Sequence, residues 1–189
     1  LNVRISLSRF LSLSVAAASV VAGAAWSLSP AAAHAEDGPI YAQLSSTASQ
    51  QPKDTSPAVA TLNSNDSLQG IGHTTDGKNT DIVIKTAGVY FVVAAAQVGK
   101  EKGDGDEFVN LWMRQNGKDI DNSNTRQHIK DPKFTTVLVC QGICECKAGD
   151  TLQVVFSASS GDKGVGIIAS SPKGEPVIPS LIVSVYRIR

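Results

Sequence analysis

The sequence predicts an all-β fold, with antiparallel strands packed as two sheets in a sandwich, and three observations carry that reading. From residue 58 onward, short apolar stretches alternate with turns rich in Gly, Asn, Asp and Ser. The stretches are enriched in Val, Ile, Thr and aromatic residues with period-two patterning, which is the signal of strands. No segment after residue 35 carries a sustained helical stripe of apolar residues. Strands without intervening helices make a sandwich or barrel and exclude doubly wound and α/β-barrel architectures.

The amino end comes first. Arg4 and Arg9 supply positive charge, residues 10–25 are uncharged, and Ala33-His34-Ala35 offers a small-x-small site before Glu36. That order reads residues 1–35 as a secretory signal peptide, alanine-rich in the bacterial manner. A retained anchor is the alternative, weakened by Ser12, Ser14, Ser19 and Ser27 within a run short of leucine. The remaining 154 residues are one domain's worth of chain. They carry 15 basic and 17 acidic side chains, the basic ones scattered singly. No phosphate-tracking surface follows, so nucleic acid is not an expected partner. No second long apolar run appears, so no stable membrane span is expected once the signal is removed.

Residues 36–57 are a polar segment punctuated by Pro39, Pro52 and Pro57, with a first edge strand at 40–44. The expected strands of the 58–189 domain lie at 58–62, 67–71, 80–85, 88–98, 108–115, 134–146, 151–159, 164–169 and 181–188. Turns are expected at 76–79, 102–106, Asn116-Gly117 and Ala148-Gly149-Asp150, where Gly and Asn tolerate backbone angles that other side chains resist. In 108–115, Val109, Leu111 and Met113 share one face and Asn110, Trp112 and Arg114 the other, an ordinary half-buried strand. The stretches 88–96 and 181–188 differ, because both of their faces are apolar. A sandwich buries one face of each sheet, so something must cover the other. Ile182, Tyr186 and Ile188, with Tyr90 or Val92 nearby, are the side chains left wanting a cover. Another copy of the chain is the simplest one, and residues 36–57 folding back are the alternative.

The run Thr80-Asp81-Ile82-Val83-Ile84-Lys85-Thr86-Ala87-Gly88-Val89-Tyr90-Phe91 is followed by Leu111-Trp112-Met113-Arg114-Gln115-Asn116-Gly117. Lys147-Ala148-Gly149-Asp150-Thr151-Leu152-Gln153-Val154 comes next, and Ser180 to Ile188 closes the chain. In order and spacing this set resembles the C1q/tumour-necrosis-factor superfamily, especially the head domains of bacterial collagen-like surface proteins. Leu68-Gln69-Gly70-Ile71-Gly72-His73-Thr74 resembles the bacterial branch. The resemblance implies a ten-stranded jelly roll that assembles as a homotrimer and does binding or structural work without catalysis or cofactor. It also implies subunit contacts at or near Tyr90, Val185 and Tyr186, which joins these to Val92, Ile182 and Ile188 as contact candidates. No Gly-x-y repeat accompanies the domain, so a collagen stalk is absent from this sequence.

Candidate chemistry is sparse. Cys140, Cys144 and Cys146 share one strand parity. Buried thiols, a disulfide within or between chains, and a metal site all stay open for them. Adjacent same-face positions make a Cys144–Cys146 disulfide awkward, and a bulge at Gln141-Gly142 would be needed to bring Cys140 into a bridge. Asp104, Asp106 and Glu107 offer carboxylates to calcium but lack EF-hand order, and a solvated hairpin tip is the plainer reading. His73 and His128 sit in turn-like contexts with no nucleophile or metallohydrolase spacing around them. Trp112 reads as a recognition aromatic or a contact residue. The expected function is a secreted or surface-exposed, non-enzymatic, trimeric binding or structural head whose ligand is a surface protein or a glycan. The rival is a secreted β-sandwich carbohydrate-active enzyme or carbohydrate-binding module. Ten aromatics, two of them (Phe10 and Trp26) in the signal, are few for a sugar-stacking groove.

Overall fold

The computed structural model describes residues 38–76 and 80–189. The signal-peptide reading and its cut after Ala35 lie outside the described residues, as does most of the turn expected at 76–79. Thirteen strands are present among the described residues. They are β1 (Tyr41–Ser46), β2 (Ala58–Val59), β3 (Ser64–Gln69), β4 (Ile71–Gly72), β5 (Ile82–Ile84), β6 (Gly88–Gly99), β7 (Glu107–Gln115) and β8 (Lys118–Asp119). β9 (Thr125–Ile129), β10 (Thr136–Cys146), β11 (Thr151–Ala158), β12 (Gly166–Ile167) and β13 (Leu181–Arg187) complete the set.

They form two antiparallel sheets. The first runs β10-β6-β13-β1-β3, with β12 added to β6, and the second runs β4-β5-β11-β7-β8, with β2 on β11 and β9 on β7. The chain crosses between sheets at β1 to β2, β2 to β3, β3 to β4, β5 to β6, β6 to β7, β9 to β10, β10 to β11 and β11 to β12, giving a sandwich of jelly-roll shape. Between the sheets lies one apolar core. Leu44, Ile82, Ile84, Tyr90, Leu111, Phe156, Ile167 and Leu181 are among its fully buried side chains.

Turn chemistry explains the ends of the second sheet. Asn116 and Gly117 both take positive φ, 50° and 76°, and join the paired residues Gln115 and Lys118 in the two-residue hairpin that Asn-Gly favours. Asp150 then ties this turn to its neighbour. Its carboxylate accepts from Lys147 N at 2.8 Å, from Gln115 Nε2 at 3.0 Å and from Asn116 Nδ2 at 2.9 Å. Asn116 Oδ1 in turn accepts from Thr151 N at 2.9 Å. These acidic and amide side chains are therefore structural, each paired with the neighbouring turn.

Several details differ from the sequence expectation, among them the stretch 67–71, which is split between β3 in the first sheet and β4 in the second. β1 lies between β13 and β3, so it is an interior strand of the first sheet and the 40–44 stretch is not an edge. Its alternation explains this, since Ala42 and Leu44 join the core while Tyr41 and Gln43 face outward. The pairing of β10 with β6 runs unbroken from Thr136↔Val98 to Cys146↔Gly88, so no bulge forms at Gln141-Gly142.

Candidate functional site

The two outer faces of the sandwich are chemically unlike. On the second sheet, Trp112 lies opposite Val155 and is itself nearly buried, with Nε1 donating to Asp119 Oδ1 at 2.9 Å. Arg114 Nε reaches the same oxygen at 2.8 Å, and together the indole and guanidinium hold the Asp119 carboxyl below its ordinary pKa. Asn110 bonds Ser157 at 3.0 Å and receives Arg126 Nε at 2.8 Å. This face is satisfied within the chain, and Trp112 is spent on it.

The outer face of the first sheet is different. Ile143, Phe91, Tyr186 and Tyr41 are register partners across four consecutive strands and point away from the core. Val139, Ala95 and Ile182 make a second such row, with Val137 beyond it. Ile143 is 64% exposed, Val137 60%, Tyr186 53% and Ile182 37%. Cross-strand apolar pairs normally stabilise a sheet by packing under a cover. Here Val137, Val139, Ile143, Ile182 and Tyr186 stay exposed, with Tyr41, Phe91 and Ala95 half-buried between them. Residues 47–56 run elsewhere: Gln50 pairs with Ile167, and Gln51 Nε2 donates to Gly164 O at 3.2 Å. They therefore do not fold back over β6 and β13.

The structure divides the contact candidates. Ile182, Tyr186 and Ile188 point outward, whereas Tyr90, Val92 and Val185 lie inside the sandwich and cannot form a surface. Tyr90 is fully buried, with Oη donating to Thr86 O at 2.6 Å. Period-two geometry fixes this split, since alternate residues of one strand take opposite faces. Phe91, Val137, Val139, Ile143 and Tyr41 are the residues the sequence reading missed. The signal for three of them was present: Val137, Val139 and Ile143 alternate with Leu138, Cys140 and Cys144, so β10 is also apolar on both faces.

The calcium candidates are already engaged. Glu107 turns inward and accepts from Lys163 Nζ and Ser159 Oγ, each at 2.5 Å, which hold its carboxyl below the ordinary value. Asp106 Oδ2 meets His128 Nδ1 at 3.0 Å. Lys163 also donates to Asp104 O and Lys100 to Gly105 O. Two ammonium groups thus occupy the neighbourhood a cation would need. Among the described residues, no three His, Cys, Asp or Glu side chains gather closely enough to hold a metal. His128 itself lies in β9 and tilts against Phe108, over which Arg126 stacks at 3.9 Å. His73 follows β4 and bonds Asn65 at 2.7 Å, and burial lowers its pKa.

All three cysteines are reduced and buried on the inner face of β10. Burial alone pushes Cys140 up to about 12. Cys144 and Cys146 touch, with sulfurs 3.6 Å apart. The Cys146 S–H donates to Cys144, so Cys144 is the thiol eased toward ionisation and Cys146 is pushed up. A groove of about 390 Å³ lies beside β9, bounded by His128, Lys130, Phe134 and Thr136. Phe134 is its one exposed aromatic. Among the described residues no helix is long and apolar enough to cross a membrane.

Neither a scan against protein-family models nor a search of curated proteins found a match for this chain.

Proposed function

We propose that this chain is an extracytoplasmic, non-enzymatic head domain that assembles with copies of itself, as a homotrimer, through the outer face of its first sheet. One observation carries the reading: the apolar rows Ile143–Phe91–Tyr186–Tyr41 and Val139–Ala95–Ile182 lie uncovered. The opposite outer face is closed by its own polar network. A contiguous apolar face on a small domain marks an interaction surface. Cyclic self-assembly covers it on every copy at once. The two-sheet antiparallel sandwich is compatible with the C1q/tumour-necrosis-factor resemblance, and the threefold symmetry of this proposal is taken from that resemblance.

The chain is expected to be exported with residues 1–35 removed. Amino-terminal sequencing of the exported protein should begin at Glu36, and recovery of uncut chain in the cytoplasm would refute export. Sedimentation should give a mass near three chains with and without reductant, since the three thiols lie inside the sandwich. A folded monomer in both conditions would sink the assembly reading. A trimer only without reductant would transfer the contact to the cysteines.

A further inference from the structure

We propose that the free edge of β10 pairs antiparallel with the same edge of a second copy, centred on Cys140, and so joins two first sheets into one. This contact goes beyond the face contact above, because it uses backbone groups at the sheet margin and a twofold axis.

β10 closes one side of the first sheet, and among the described residues only β6 pairs with it. Register decides which of its backbone groups are spent. Gln97 N donates to Ser180 O at 2.9 Å, and Gln97 O accepts from Ile168 N at 2.7 Å. Val89 N donates to Arg189 O at 2.8 Å, and Val89 O accepts from Ile188 N at 2.7 Å. Both residues turn away from β10, so their partners Val137 and Glu145 are not bonded to β6. Antiparallel pairs alternate between bonded and non-bonded, and the register between these two points is unbroken. Val137, Val139, Gln141, Ile143 and Glu145 therefore all aim N–H and C=O away from β6. Glu145 O accepts from Gln115 Nε2 at 3.0 Å. Val137, Val139, Gln141 and Ile143 are left open, each with a donor and an acceptor.

Sheet edges are normally guarded by charge, proline, a bulge or brevity. The other margins of this sandwich follow that rule. β3 carries Asp66 and pairs with β1 across a register shift, and β9 carries Arg126 and His128. β2, β4, β8 and β12 are each two residues long. Over residues 137–143, β10 has no charge, no proline and no bulge.

The occupant follows from symmetry. A twofold centred on Cys140 sets Val137 against the partner's Ile143 and Val139 against the partner's Gln141, then repeats both. This register uses every open group. Centring on Gln141 would draw in the capped Glu145, and centring on Val139 would draw in Thr135, which lies outside the strand. Val137 and Ile143 are exposed on the outer side, so the apolar rows of one copy run on into those of the next. Hydrogen bonds that replace water contribute modestly, so the edge pairs at higher concentration than the face.

The test is sedimentation of the reduced full chain over a series extending well above the concentration at which three chains assemble. Species larger than three chains should accumulate in the wild type, whereas Gln141→Pro should stop at three. The N–H lost there points at the partner and not at β6, an edge position that proline tolerates. Gln141 also lies in the row of Val93 and Ser184, between the apolar rows. Gln141→Ala should associate like the wild type. Tyr186→Asp, which breaks the face contact, should still pair its edge and give two chains. A wild type that stays at three chains, Gln141→Pro that associates like Gln141→Ala, or Tyr186→Asp that stays single throughout would each overturn the edge contact. A wild type that passes only from one chain to two would support the edge and refute the face, so the two readings fail separately. A second readout needs no variant, so a folding defect in Gln141→Pro cannot mask the result. In backbone amide exchange, Leu138 and Cys140 should be protected by β6 at every concentration. Val137, Val139, Gln141 and Ile143 should gain protection only as the larger species forms, and no gain at these four would overturn the pairing.

Discussion

Replacing Tyr186 by Asp separates assembly from folding. Tyr186 is 53% exposed, with Phe91 on one side of it and Tyr41 on the other. A tyrosine offers roughly 200 Å² to burial, so about 100 Å² remains to be covered by a partner. At about 25 cal/mol per Å² that area is worth about 2.5 kcal/mol per chain, or about 7.5 kcal/mol per trimer. Ordering costs at the interface make this an upper figure, while desolvating the new carboxylate adds to the loss. With tenfold for each 1.4 kcal/mol, the overall association constant falls by on the order of 10⁵. That constant scales with the square of concentration, so the half-assembly concentration rises by on the order of a few hundredfold. Sedimentation velocity across a concentration series reads this directly, with Lys118→Asp on the exposed β8 hairpin as the control. Circular dichroism should show the dissociated Tyr186→Asp chain still folded, because the sandwich core lies within each chain. A variant that assembles at the wild-type concentration would refute the assignment of this face. A dissociated chain that unfolds would refute the claim that the core is self-sufficient.

Val185→Asp, one residue away, should behave oppositely: its side chain is fully buried, and an unpaired interior charge costs at least about 3 kcal/mol, so the chain should lose cooperative thermal unfolding before any change in assembly can be read. A folded, dissociated Val185→Asp chain would show that the strand's faces are assigned in reverse. Glu107→Gln should cost about 1 kcal/mol at neutral pH in urea unfolding, by weakening the bonds from Lys163 and Ser159. Because the folded carboxyl titrates below 4.5, its contribution is present above about pH 4.5 and is lost as pH falls through the folded value. The gap between wild type and variant should therefore close in acid, and a gap that persists there would refute the ionic origin.

Where the sequence was legible, the reason lies in local chemistry. Asn116-Gly117 and Gly149-Asp150 were legible as turns because few residues accept those backbone angles, and the long strands β6, β7, β10, β11 and β13 showed through period-two patterning. β9 was not legible. Thr125-Arg126-Gln127-His128-Ile129 has one apolar side chain, Ile129, and holds its place by pairing with β7 and by the stacking of Arg126 and His128 with Phe108. Which face of β6 and β13 looks inward was equally hidden, because alternation carries no sign when both faces are apolar. The common parity of the cysteines was legible. The inward turn of Glu107 depends on Lys163, far along the chain, and no local spacing could announce it.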